Sequence, residues 1–117
     1  MTQFAPFDAA ELPASVVAYL DARDAQDRVG ALATFTADAV VIDDGGTYSG
    51  TESIGSWIGQ SSTEFTYTAT RIGQQLANAS DAVVQVRLDG NFPGGTVTLH
   101  YQFELSGDLI SRLAIEV

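Results

Sequence analysis

The sequence predicts a single α+β domain in which helices come first and an antiparallel sheet follows. In the first third of the chain, apolar residues recur at helical spacing. From residue 65 onward, apolar and polar residues alternate over long runs, as they do in half-buried strands. Stretches rich in Gly, Asn, Asp and Ser separate these runs and are typical of hairpin connections. The helices are therefore expected to cover one face of the sheet.

The length and composition suit one domain that spans residues 1–117. The chain has 117 residues, of which 45% are hydrophobic, and this is enough apolar material for one core. No internal repeat, linker or low-complexity segment divides the chain. We therefore predict one domain without a second module.

The composition excludes several classes of function. Five arginines and no lysine stand against 15 acidic residues, which gives a formal net charge of −10. Binding to nucleic acids or anionic membranes needs clustered basic side chains, so neither is expected. The absence of cysteine and the single histidine, His100, exclude disulfides, thiolate zinc sites and multi-histidine metal centres. No apolar stretch is long enough to span a bilayer and no signal-peptide pattern is present, so we expect a cytoplasmic protein.

Two short helices are predicted before the first strand. Pro13 suits the first turn of the first helix, because its missing N–H would be unpaired there. An apolar stripe that includes Tyr19 follows on one side of this helix. Asp27 is the expected N-cap of the second helix, which should turn Val29 and Phe35 inward.

A buried strand and a third helix are predicted next. Residues 39–42 are uniformly apolar and lead to acidic residues and a Gly45-Gly46 turn. Thr51 is the expected N-cap of the third helix, which carries Trp57 and should end at Gly59.

The later strands each have one apolar and one polar face. Alternation predicts inward-facing side chains at Val84, Val86, Leu88, Val97, Leu99, Tyr101, Phe103, Leu113 and Ile115. His100 falls on the polar, outer face, where a surface or subunit contact is expected. The strand arginines Arg71, Arg87 and Arg112 are expected to pair with acidic residues on that same face.

Two adjacent carboxylates close the first strand. Period-two alternation places Val41 and Asp43 on one face of this strand and Asp44 on the other. Two interpretations remain open at this point. Both acids can belong to a solvated turn, or one of them can lie in a pocket, where a carboxylate is able to act as a general base.

The order of these elements resembles the SnoaL-like part of the nuclear transport factor 2-like superfamily. The resemblance runs from Leu12 to Val117 and rests mainly on "FTADAVVIDDGGTYSG", which precedes the helix with Trp57, and on "GNFPGGTVTLHYQFELSGDLISRLAIEV". It implies a cone-shaped, curved antiparallel sheet that three N-terminal helices cover on its concave face. It also implies a pocket at the mouth of the cone. The fold alone does not determine function, because it hosts isomerases, cyclases, epoxide hydrolases and non-catalytic binders.

Comparison with the ketosteroid isomerases of this superfamily indicates candidate catalytic residues. In those enzymes a tyrosine precedes the aspartate base by 24 residues, and Tyr19 and Asp43 have the same separation (43 − 19 = 24). The resemblance implies that Asp43 is a general base and that Tyr19 donates a hydrogen bond to the oxyanion. A protonated aspartate is the family's second donor, and Tyr101 stands at the corresponding position here. Each tyrosine is equally compatible with a place in the core.

The same comparison predicts a small-molecule pocket. Its expected lining is Val41, Tyr48, Trp57, Leu99 and Phe103. The expected ligand is small and apolar or contains a carbonyl group, and no cofactor or metal is required.

The preferred function is that of a small-molecule-binding pocket protein, an isomerase or cyclase that moves a proton next to a carbonyl through Asp43. The alternative is a non-catalytic ligand-binding or dimerisation module with the same fold. An epoxide hydrolase would need an Asp-Arg-Asp arrangement, and Arg71 or Arg87 would have to turn inward for it. The resemblance also implies a homodimer formed through the convex face of the sheet.

Overall fold

The computed structural model describes residues 4–61, 67–78 and 80–117 of the chain. Its helices, after a short 3₁₀ turn at Ala9–Glu11, are α1 (Ala14–Asp24), α2 (Arg28–Leu32) and α3 (Gly50–Ser61). Its strands are β1 (Phe35–Asp43), β2 (Gly46–Ser49), β3 (Tyr67–Asn78), β4 (Asp81–Gly90), β5 (Thr96–Ser106) and β6 (Leu109–Glu116). The alternating pattern that predicts β3 begins at residue 65, which lies outside the described residues. None of the described helices is long and apolar enough to cross a membrane.

The six strands form one curved sheet in the order β2-β1-β6-β5-β4-β3, and the predicted α+β class is confirmed. Neighbouring strands run antiparallel except β1 and β6, which run parallel, with Val41 opposite Leu113 and Asp43 opposite Ile115. The expectation of a purely antiparallel sheet is wrong at this pair. Hairpin spacing indicates direction only for strands that follow each other, whereas most of the chain separates β1 from β6.

The Gly45-Gly46 turn is part of a hairpin whose second strand, β2, the sequence interpretation lacked. Asp44 and Gly45 occupy the turn with positive φ angles of 51° and 78°. Two consecutive residues with positive φ match the twist of a two-residue hairpin, and aspartate and glycine tolerate this conformation best. Asp43 consequently faces Gly46 across the hairpin, at the end of the β1 ladder.

The first two helices begin where the sequence predicts, whereas α3 begins at Gly50, so Thr51 lies within its first turn and the prediction of Thr51 as its N-cap is wrong. Asp27 caps α2 by accepting the Gly30 N–H at 2.9 Å. The prediction that Val29 faces inward is wrong: the five-residue α2 buries Ala31 and leaves Val29 81% exposed. Phe35, also predicted to face inward, is buried as the first residue of β1. α3 runs through Gly59, since its packing against β1 and β2 compensates for the low helix propensity of glycine.

The core lies between the helices and the face of the sheet that they cover. Tyr19 of α1 stands at its centre, with its ring edge-on to Phe35 at 5.5 Å and to Phe103 at 5.9 Å between centroids. These rings and the fully buried Val16, Leu20, Val41, Ile54, Val84 and Leu113 leave little room for a ligand in this part of the fold.

Arg71 corrects the expectation that all strand arginines lie on the outer face. Its side chain shares the helix-facing side of β3 with Tyr67, and its Nη2 lies 2.9 Å from carboxylate oxygens of Asp21 and Asp24 on α1. The two other pairs form on the outer face as predicted: Arg87 with Asp89 and Arg112 with Glu104. Exposed pairs of this kind contribute little to stability.

Candidate functional site

An open cavity of about 580 Å³ lies where the end of α1, the middle of α3 and the ends of several strands meet. A cavity of this size is in the range that holds small molecules. Its aromatic wall consists of Trp57, Tyr67, Phe92 and Tyr101, and its aliphatic wall of Leu88, Val97, Leu99 and Ile115. Its charged side chains are Arg23, Asp43, Asp44 and Glu116.

Asp43 lies on the wall of this cavity as the last residue of β1. Its side chain is half-buried, and its Oδ2 accepts a hydrogen bond of 3.0 Å from the indole Nε1 of Trp57. Its other oxygen, Oδ1, receives no hydrogen bond within the described part of the chain. Asp44 also lines the cavity, but it is exposed on the hairpin turn at the rim. The hairpin thus separates the two acids, and only Asp43 has a side chain that the protein holds in place.

Trp57 reaches Asp43 because α3 follows the β1–β2 hairpin directly and packs back onto β1. The indole is 4% exposed, and its ring lies 6.3 Å from that of Tyr48 between centroids. Tyr48 therefore supports Trp57 from outside the cavity. Val41 and Phe103 are buried in the core and do not line this cavity, so only Trp57 and Leu99 of the predicted binding residues are on its wall.

The two tyrosines of the predicted catalytic set have different surroundings. Tyr19 is packed within the core and is not on the cavity wall, which differs from the position that the 24-residue spacing implied. Tyr101 does line the cavity, although it is only 1% exposed. Burial raises the pKa of both phenols. Both hydroxyls are therefore protonated at neutral pH, and the one on Tyr101 is placed to donate to a bound molecule.

Arg23 and Tyr67 are site residues that the sequence interpretation missed. The Arg23 Cζ lies 4.9 Å from the ring centroid of Tyr101 and 5.7 Å from that of Tyr67, and its Nη2 donates to the Tyr67 hydroxyl at 3.0 Å. A signal was available, because Arg23 follows the buried Tyr19 by four residues and Leu20 by three. Such spacings place side chains on one helix face.

His100 and the remaining arginines lie away from the cavity. His100 is on the outer face of β5, with its Nε2 3.2 Å from the Gln85 amide nitrogen and its ring 5.5 Å from that of Phe4. Arg71 does turn toward the helices and pairs with Asp21 and Asp24, but none of these three residues lines the cavity, and Arg87 does not line it either. The Asp-Arg-Asp arrangement that an epoxide hydrolase needs is therefore not placed at this cavity. Over the described ranges, no group of three or more His, Asp or Glu side chains is suited to hold a metal ion.

Residues 16–112 match the family model of the SnoaL-like domain. The chain belongs to the SnoaL-like family. The SnoaL-like match runs from the third residue of α1 through β5 to the middle of β6. No curated protein matches the sequence at a significant level.

Solved structures share this SnoaL-like fold over most of their length. A Sinorhizobium meliloti protein provisionally assigned as a polyketide cyclase is 33% identical, with a TM-score of 0.88 over 94% of this chain and 100% of that one. A Mycobacterium tuberculosis protein in complex with estradiol-17β-hemisuccinate is 20% identical, with a TM-score of 0.75 over 92% and 95%. A Catenulispora acidiphila protein with a ketosteroid isomerase-like fold, in complex with trimethylamine, is 18% identical, with a TM-score of 0.77 over 91% and 86%.

Proposed function

We propose that this protein binds a small, largely apolar carbonyl compound in the cavity and moves a proton next to the carbonyl group, as an isomerase or cyclase does. One observation carries the proposal: a carboxylate, Asp43, is held by an indole N–H on the wall of a cavity that is otherwise mainly aromatic and aliphatic. A base in such a place meets its substrate with little competing water.

In the proposed reaction, the Asp43 carboxylate removes a proton from the carbon next to the carbonyl, and the electron pair moves onto the carbonyl oxygen. Tyr101 donates a hydrogen bond to the enolate oxygen, where a preorganised donor has its largest effect. Tyr67 is a second candidate donor, because its oxygen already accepts from Arg23 and its own O–H is thereby polarised. Asp43 then returns the proton to another carbon, so no cofactor takes part. Tyr19 contributes only by packing in the core.

The relatives support the class of ligand. The M. tuberculosis protein binds estradiol-17β-hemisuccinate, and the S. meliloti protein has a provisional assignment as a polyketide cyclase. The cavity here is about 580 Å³ and has flat aromatic side chains on its wall, which suits a compound of two or more fused rings.

The proposal is tested with 2-tetralone, a two-ring ketone with exchangeable protons next to its carbonyl. We expect the protein to accelerate deuterium incorporation at that carbon, followed by NMR in D₂O, beyond the rate in buffer with an equal concentration of serum albumin. Trp57 is the only tryptophan and lines the cavity, so binding is measured independently through its fluorescence.

The two measurements separate the preferred function from its alternative. Binding with accelerated exchange supports proton transfer. Binding without acceleration supports the non-catalytic ligand-binding module. A saturating change in Trp57 fluorescence is required in both cases, and its absence for a series of fused-ring ketones would contradict the pocket function itself.

We further propose that the protein forms a homodimer through the outer face of the sheet. This face carries polar side chains, among them Thr98, His100, Gln102 and Arg87, and resembles a wet interface more than an apolar one. Light scattering at micromolar concentration and moderate salt should give twice the mass of the 12.4 kDa chain. Arg87→Glu should weaken the dimer, because it adds like charges to a chain of net charge −10. A monomer under these conditions would contradict the proposal.

A further inference from the structure

Arg23 is a cation on the wall of the cavity that has no carboxylate partner among the described residues. Three of the five arginines of the chain form ion pairs with aspartate or glutamate, namely Arg71, Arg87 and Arg112. Arg23 is half-buried, yet none of the ion pairs among the described residues involves it. Removing a guanidinium from water is unfavourable unless its donors are satisfied. In a chain with 15 acidic residues, a half-buried arginine without an ion pair to any described residue is therefore a notable exception.

The described groups around Arg23 hold its position and accept one hydrogen bond from it. Its guanidinium lies near the rings of Tyr101 and Tyr67, at 4.9 and 5.7 Å, and one N–H bonds to the Tyr67 hydroxyl. Contacts with aromatic rings stabilise the charge without occupying its N–H groups. A guanidinium has several further N–H donors in a planar fork, and the oxygens of a carboxylate match this fork in a bidentate pair.

The acidic residues of the cavity do not take this role. Asp43, Asp44 and Glu116 line the same cavity, but none of the ion pairs between described residues joins any of them to Arg23. Asp43 accepts from Trp57, and Glu116 accepts from Gln102. The cavity thus has one fixed carboxylate and one fixed guanidinium on its wall with an apolar surface beside them. A complementary molecule has an apolar body, a neutral end that lies near Asp43 and an anionic end that lies near Arg23.

We propose that the ligand of this cavity carries a carboxylate and that Arg23 binds that carboxylate through paired hydrogen bonds. The inference rests on the proposed function, since it assigns the substrate class of the same cavity: an aromatic or fused-ring compound with a carbonyl and an acid group. Arg23 selects the acid against its neutral ester, because only the ionised group satisfies the guanidinium.

The test compares 2-naphthoate with its neutral methyl ester by isothermal titration calorimetry. The wild-type protein should bind 2-naphthoate at least about tenfold more tightly than the ester, since a charge-assisted pair in a partly buried site contributes that much. Arg23→Gln should remove this preference, weakening naphthoate binding at least about tenfold and changing ester binding by less than about twofold. Arg23→Lys keeps the positive charge but loses the planar fork of N–H donors. Its affinity for 2-naphthoate should therefore lie between those of the wild type and Arg23→Gln.

Arg112→Gln is the matched control, because it makes the same change in net charge at an exposed position outside the cavity. It should leave both affinities within about twofold of wild type. An equal loss in Arg112→Gln and Arg23→Gln would show a general charge effect and overturn the inference. An equal loss of affinity for 2-naphthoate and for its ester in Arg23→Gln would also overturn the inference, because a merely structural role of Arg23 would not distinguish the acid from the ester.

The wild-type comparison keeps the inference falsifiable if Arg23→Gln does not fold. Wild-type protein that binds the ester as tightly as the acid would contradict the carboxylate assignment and leave the proposed pocket function standing. Wild-type protein that binds neither naphthalene compound nor 2-tetralone would contradict both proposals.

Discussion

Replacing Asp43 by asparagine is expected to abolish proton exchange at the carbon next to the carbonyl of bound 2-tetralone. The asparagine side chain has nearly the same shape and keeps an oxygen that can accept the Trp57 N–H. It cannot take up a proton, however, and loss of a positioned general base lowers the rate by about 10²–10⁴-fold. Ketone binding, measured through Trp57 fluorescence, should remain nearly unchanged.

Asp44→Asn is the control for this experiment, because it makes the same change one residue further along. Asp44 is exposed on the hairpin turn. A substitution at such a surface position changes an unfolding or binding equilibrium constant by at most about twofold. Exchange should therefore proceed at close to the wild-type rate in Asp44→Asn. Unchanged exchange in a folded Asp43→Asn protein would remove the base assignment, and equal losses in both variants would point to the charge at the rim instead.

Replacing Phe103 by alanine is expected to destabilise the fold by about 3–5 kcal/mol, the range for buried phenylalanine. Phe103 is 1% exposed and packs against Tyr19, with ring centroids 5.9 Å apart. The substitution leaves a cavity in the core that the surrounding strands cannot close. The free energy of unfolding is measured by urea denaturation at neutral pH, with a constant m-value as the check that the transition is comparable.

Leu99→Ala is the matched comparison on the same strand face. Leu99 is half-buried on the cavity wall, so its truncation should cost less stability than Phe103→Ala and should weaken binding of 2-tetralone more. Near-wild-type stability together with lost ligand binding in Phe103→Ala would show that Phe103 contacts the ligand. That outcome would support the predicted place of Phe103 on the pocket wall and contradict its packing against Tyr19 in the core.

Helix starts, helix caps and strand faces could be predicted from the sequence, because each depends on interactions between residues close together in the chain. The proline before α1 and the Asp27 cap of α2 depend on one turn of backbone. Alternation along β4, β5 and β6 depends only on the period of a strand, and so does the outer position of His100. Asp44, by contrast, lies in the turn after β1, and both it and Asp43 border the cavity. The α+β class follows from these local patterns in their order along the chain.

Long-range packing determines which part of the apolar face is core and which part is cavity wall. Tyr19, Val41 and Phe103 have the same apolar pattern as Tyr101 and Leu99, yet the first three are covered by packed side chains and the last two border the cavity.

The physical reason is that this difference depends on contacts between residues far apart in the sequence. The parallel pairing of β1 with β6 sets where the sheet curves over the helices, and no hairpin specifies that pairing. The length of α1 decides that Arg23, a charged residue at its last turn, lies over Tyr67 and Tyr101 instead of in solvent. Sequence periodicity identifies the face of an element, whereas only long-range packing determines what covers that face.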